Sequence, residues 1–335
     1  MASAPVVGWA GSRPGSFDAG EHAVGSIRRI PLDGLATVRA RALALVPRGL
    51  DASAPVEVLC HLHGLGITYE DHGGGVRDVD VDRLAQQLEA AARPMILLAP
   101  QGTPASDFNP AADPARPAAN QLASHDNPAV SIDPKLPARF VAQPDKGFDV
   151  QAFVDEALGA LAALGILGRA PEVATAVLSA HSGGGDALSL VLAEDGIGRR
   201  PRALGAIVLF DAVNGDEELS RLLSFLDAAL RRDADAIASA GDADAQLAAL
   251  ARGTLFRAIT TGAPFYAARH HALDAFLSRW FEAHADAAGD EVTAAWRARY
   301  RVVFSDHRDH ETLVGSGALE DALRALPPVP SPASA

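Results

Sequence analysis

The segment that most constrains this chain is residues 174–195. ATAVLSA has the pattern of a buried strand and DALSLVLAED that of a helix, with only His181-Ser182-Gly183-Gly184-Gly185 between them. A chain passing from strand to helix in so few residues must turn sharply, and a serine at the tip of that turn takes strained backbone angles. Small residues two before and two after the serine let the flanking backbones approach. Ala180 and Gly184 occupy those positions, with Ala180 standing where the commonest form of the motif has glycine.

The rest of the chain repeats the same alternation of short apolar runs and longer helical patterns, as expected of a mostly parallel sheet wrapped by helices. Residues 25–31 and 36–46 alternate as an antiparallel hairpin would. Residues 56–62 and 95–99 read as buried strands, and 174–180, 204–210, 255–260 and 299–304 complete a set of eight. Helical patterns fall at 81–92, 150–165, 183–195, 217–232, 243–251, 269–284 and 317–325. Across 268–300, which holds His271, Asp274 and Trp280, the reading is an amphipathic surface helix packed on the sheet.

The expected fold class is therefore α/β, one domain over 25–326 with an N-terminal extension at 1–24 and a solvated tail at 327–335. The Pro- and Asp-rich stretch 103–147 has no sustained period and is far longer than an ordinary connection. It reads as an insertion, either a surface loop or a wall over a site at the end of the preceding strand.

Composition removes several function classes. The chain has 335 residues, 48% of them hydrophobic, and carries 29 basic against 42 acidic side chains for a net charge of −13. A nucleic-acid partner calls for the opposite sign. No apolar run approaches the roughly 18 residues a membrane span needs. One cysteine, Cys60, cannot form an internal disulfide. With no visible signal peptide this favours a cytoplasmic protein, and it fits equally an exported one that has lost its leader.

Candidate chemistry gathers where strands end. The turn after 174–180 places the Gly183 N–H and the positive end of the following helix where negative charge would develop on a substrate. His61-Leu62-His63-Gly64-Leu65-Gly66 ends another strand with a Gly-bearing turn, and the Leu65 amide is the second expected oxyanion donor. Asp211 terminates LGAIVLF, and Ser305-Asp306-His307-Arg308-Asp309-His310-Glu311 follows the last strand. Catalytic groups in open α/β sheets collect at that edge. No Lys-Ser/Thr pair follows the glycines, which argues against a phosphate-binding loop. The turn alone also fits a purely structural role.

The order serine, acid, histidine is that of one triad lineage, and on these motifs the chain resembles the α/β-hydrolase superfamily over about residues 25–325. The pairing of HLHGLG with MILLAPQG resembles polyhydroxyalkanoate depolymerase and feruloyl-esterase-like members. The resemblance implies an α/β-hydrolase fold with an eight-stranded sheet and a serine hydrolase in which Ser182 is nucleophile, a C-terminal histidine is base, and the amides of Leu65 and Gly183 form the oxyanion hole. It departs from the family at the acid. The seventh strand ends Thr260-Thr261-Gly262-Ala263-Pro264 with no carboxylate before Asp274, so Asp211, at the family's alternative position, is the preferred acid. His310, which leads into a helix-like ending, is preferred over His307 as base.

The expectation is a hydrolase of carboxylic esters, small or polymeric, with no cofactor, no metal and no membrane span. A polyester or a hydroxycinnamoyl ester is the substrate class the resemblance suggests. Three alternatives stand beside it: an amidase or peptidase using the same triad, a metal-dependent hydrolase built on His61, His63, Asp71 and His72, and a non-catalytic binding protein on the same fold.

Overall fold

The structure is a computed structural model, and it describes residues 26–38, 41–64, 83–102, 106, 108, 148–193, 200–284, 288–307, 309–310 and 312–326. The predicted extension, the tail and all of the 103–147 insertion except Ser106 and Phe108 lie outside that set, as does Leu65.

Eight strands form one sheet: β1 Ile27–Asp33, β2 Arg41–Pro47, β3 Val56–Leu62, β4 Met95–Pro100, β5 Val173–His181, β6 Leu204–Phe210, β7 Leu255–Thr260 and β8 Tyr300–Phe304. Their order is β1-β2-β4-β3-β5-β6-β7-β8. β1 and β2 run antiparallel, as do β2 and β4, and every other pairing is parallel. This is the arrangement of an α/β-hydrolase fold. The order reverses beside β3, whose neighbours are β4 on one side and β5 on the other, so the connections leaving β3 and β5 diverge and open a crevice at their C-terminal ends.

The helices are α1 Leu84–Ala90, α2 Val150–Ala163, α3 Gly184–Leu192, α4 Asp216–Ala238, α5 Ala243–Ala251, α6 Pro264–Ala283, α7 Asp290–Arg299 and α8 Ala318–Arg324. Period-two alternation in the strands divides the core. Val58, Cys60, Leu62, Leu178, Ala180, Ile207 and Leu209 face α2, α3, α4, α6 and α7. Leu59, Leu97, Val177, Val208 and Phe210 face α1 and α8 on the other side. A sheet covered on both faces explains why β3 is buried along its whole length. No described helix is long and apolar enough to cross a membrane.

Two tertiary ties hold the last helix in place. Gln87 on α1 accepts from the backbone N–H groups of Leu319 and Glu320 at 3.1 Å each, satisfying donors that α8 cannot satisfy itself. Arg93 pairs with the buried Glu57 of β3 and also donates to the carbonyl of Leu326 at 3.0 Å.

One sequence reading needs correction. Trp280, expected on a surface helix, is buried on α6 against Phe281 and Trp296, and a helix outside the predicted set, α7, precedes β8. α6 begins at Pro264, five residues before the predicted start, because proline fits the first helical position where no N–H partner is needed.

Candidate active site

Ser182 sits at the elbow between β5 and α3 with φ 49°, a left-handed conformation that costs a non-glycine residue energy. Its N–H donates to the Phe210 carbonyl at 2.9 Å, and its own carbonyl accepts from Asn214 Nδ2 at 2.8 Å and from the Gly185 N–H at 3.0 Å. The turn is therefore tied to the end of β6 on both sides. Two glycines make the approach sterically feasible. A Cβ at Gly184 would lie 2.5 Å from the Leu62 carbonyl oxygen, and one at Gly185 would lie 1.7 Å from the Ala212 carbonyl oxygen. Neither position tolerates any side chain, which is the physical content of the Gly-Gly pair after the serine.

The Gly183 N–H, at the start of α3, enters no backbone hydrogen bond among the described residues. Across the crevice, Gly64 follows β3, and a Cβ there would come within 3.1 Å of the Ser182 Cβ. Leu65, the next residue and the predicted second oxyanion donor, falls outside the described residues.

Asp211, fully buried, follows β6 and also takes a positive φ, 45°. Its Oδ1 accepts from the Thr260 hydroxyl at 2.7 Å and the Thr261 N–H at 3.1 Å; its Oδ2 accepts from the Thr261 hydroxyl at 2.7 Å and faces His310 Nδ1 at 3.1 Å. Burial pushes this carboxyl up, and the hydrogen bonds from His310, Thr260 and Thr261 outweigh it, holding Asp211 below the usual carboxylate range. A carboxylate at Nδ1 fixes the proton there and leaves Nε2 as the acceptor nitrogen of a neutral imidazole.

His310 lies in a nest of rings. His181 donates from Nε2 to the His310 carbonyl at 3.0 Å, and its ring is 4.7 Å from that of His310. Burial, then the neighbouring His310, pushes His181 down to about 3, so it is a neutral anchor for the loop carrying His310. On α6, Tyr266 stacks on His310 with centroids 4.7 Å apart and planes 14° apart, and its hydroxyl is 3.1 Å from Nε2. Among the described residues no hydrogen bond joins His310 to the Ser182 hydroxyl.

The other candidates have different surroundings. His307 donates from Nε2 to the Thr312 hydroxyl at 2.8 Å, since that hydroxyl gives its own proton to Asp309. Asp274 lies on α6 in an open groove with Arg297, Arg301 and Tyr300. His63 is buried and committed at both nitrogens, donating to the Gly64 carbonyl at 2.8 Å and accepting from the Gly102 N–H at 2.9 Å, and burial pushes it down to about 4. His61 meets the Ser179 hydroxyl at 2.7 Å. Among the described residues no three His, Cys, Asp or Glu side chains cluster as a metal site would require; Asp71 and His72 lie outside those residues.

Sequence reasoning missed Thr260, Thr261, Tyr266, Asn214, Glu218 and the anchoring role of His181. Only the threonines carried a signal, a polar pair ending a strand at the functional edge. Glu218, in the first turn of α4, is almost fully buried and accepts from the Asn214 N–H at 2.6 Å; burial, then nearby Asp186, pushes it up to about 8.

No protein-family model and no curated protein matches this chain. Similar solved structures include a ferulic acid esterase, 12% identical, covering 90% of this chain and 98% of that one with a TM-score of 0.42. An S-formylglutathione hydrolase from Agrobacterium tumefaciens is 15% identical, covering 90% and 95%, with a TM-score of 0.41. A siderophore hydrolase from Aspergillus nidulans is 14% identical, covering 95% and 97%, with a TM-score of 0.38. The strand order and pairing carry the fold.

Proposed function

We propose that this chain is a serine hydrolase that cleaves carboxylic esters through an acyl-enzyme, with Ser182 as nucleophile, His310 as general base and then general acid, Asp211 as the orienting carboxylate, and the amides of Gly183 and Leu65 as oxyanion donors. The observation that carries this reading is the strained Ser182 elbow at the same sheet edge as a buried Asp211 hydrogen-bonded to His310 Nδ1.

The chemistry follows from those roles. A serine hydroxyl is a poor nucleophile until a neutral imidazole takes its proton. As the Ser182 Oγ–carbon bond forms, the proton passes to His310 Nε2 and the carbonyl electron pair moves onto oxygen, toward the Gly183 N–H and the positive end of α3. Asp211 stabilises the imidazolium and holds its tautomer. The intermediate then collapses, the alkoxide leaves with the proton from Nε2, and water repeats the sequence to release the acid. Esters are favoured over amides because their leaving group asks less of the general acid.

The test is intact-mass analysis after treatment with a fluorophosphonate, comparing wild type with Ser182→Ala. One adduct on wild type and none on the variant is expected. A folded wild type that takes no adduct overturns the reading. Turnover of p-nitrophenyl esters separates an esterase from an amidase, and hydrolysis of anilides alone would reassign the substrate.

A further inference from the structure

We propose that the Tyr266 hydroxyl caps the proton-accepting nitrogen of His310 when the site is empty, so that Ser182 becomes reactive only as Tyr266 gives up that nitrogen. The inference rests on the reading of His310 as general base.

Asp211 sits at Nδ1, so the lone pair of the neutral ring is on Nε2, the atom that must receive the serine proton. The hydroxyl 3.1 Å from that atom belongs to Tyr266, and a phenol is a donor to an imidazole lone pair. The contact is built rather than incidental. Pro264 starts α6 directly after the β7 turn, the Tyr266 N–H donates to the Ala263 carbonyl at 2.9 Å, and the Tyr266 carbonyl is met by Nδ1 of the fully buried His270 at 2.9 Å. The backbone of Tyr266 is thereby fixed and its ring is laid flat along His310. Tyr266 is only partly buried.

One nitrogen lone pair cannot accept from two hydroxyls at full strength. While Tyr266 donates to Nε2, Ser182 lacks its base, and the serine hydroxyl has no partner on His310. A ligand entering beside His310 displaces the phenol and hands Nε2 to Ser182. The stacked ring remains useful throughout, because it limits the swing of an imidazole that is otherwise held at Nδ1 and at its carbonyl.

The stack and the hydroxyl are separable. Tyr266→Phe keeps the ring and removes the cap; Tyr266→Ala removes both. With a small fluorophosphonate as probe, Tyr266→Phe is expected to raise the second-order rate of Ser182 labelling about three- to tenfold, the worth of one neutral hydrogen bond. Tyr266→Ala is expected to fall below wild type, with Phe as the rescuing substitution. In the same proteins at a pH where His310 is neutral, the 15N resonance of its Nε2, assigned with His310→Gln, should move downfield in Tyr266→Phe as the lone pair is freed.

Labelling of Tyr266→Phe at or below the wild-type rate overturns the proposal, and so does an unchanged Nε2 resonance in a protein that labels. A wild type that does not label at all defeats the hydrolase reading itself, and the cap with it.

Discussion

Thr261 donates twice to Asp211, its N–H to Oδ1 at 3.1 Å and its hydroxyl to Oδ2 at 2.7 Å, so the end of β7 grips the carboxylate that the end of β6 supplies. Thr261→Val keeps the shape and the N–H but removes the hydroxyl. Since Asp211 is held below its ordinary value, the stabilisation it provides is present above the unfolded value of 3.8 and is lost as pH falls through the folded one. The variant should be about 2 kcal/mol less stable at pH 7, as for a hydrogen bond to a charged group. The deficit should narrow below about pH 4. Urea unfolding at several pH values reads it directly, and a deficit that persists undiminished at low pH would mean the hydroxyl matters for packing alone.

Replacing the carboxylate itself is more severe for chemistry. Asp211→Asn should lower kcat for a p-nitrophenyl ester by about 10⁴-fold, because the amide presents the wrong partner to Nδ1. Asp274→Asn, in the outer groove, should stay within about twofold of wild type, in line with surface substitutions generally. The reverse ranking would transfer the acid's role to Asp274.

Glu218 links stability to pH in the opposite direction. Burial raises its folded value to about 8 from 4.5, so the folded protein holds a proton that the unfolded chain releases across that interval. Stability from this group is complete below pH 4.5 and is lost as pH rises toward 8, by an amount on the order of a few kcal/mol. Glu218→Gln keeps an acceptor oxygen for the Asn214 N–H without the charge and should flatten that decline. Denaturation midpoints between pH 5 and 8.5 compare the two, and parallel curves would remove Glu218 as the cause.

The elbow glycines give a steric test. Gly185→Ala puts a methyl into the Ala212 carbonyl, where its Cβ would lie 1.7 Å from the oxygen, and should cost more than about 3 kcal/mol or prevent folding. Gly241→Ala, with nothing within 4 Å of its Cβ, should change stability by less than about 1 kcal/mol. Soluble yield and thermal midpoint decide it.

The parallel strands were legible because burial on both faces leaves short unbroken apolar runs, as in VEVLCHL and LGAIVLF, and those runs coincide with β3 and β6. Helix ends were less legible. The helical pattern at 269–284 starts five residues after Pro264, where α6 begins, and α7 has no pattern of its own in the sequence because only Val292 and Trp296 of its 10 residues are buried. At the site, Ser182 and Asp211 announce themselves by position at a strand end. Tyr266 and Asn214 do not, since what defines them is a partner far away in sequence: the Tyr266 contact spans 44 residues and the Asn214 contact 32.

The bond from His181 to the His310 carbonyl closes 129 residues of sequence. Closing so long a loop costs little more entropy than closing one half its length, about 0.6 kcal/mol per doubling. Sequence distance is therefore no obstacle, but registration is: β6, β7 and β8 must all be seated before the histidine arrives. A chain complete only through β7 would own the elbow and the carboxylate yet lack His310. On the proposed roles, a covalent probe of Ser182 doubles as a gauge of how much of a preparation has folded to its last strand.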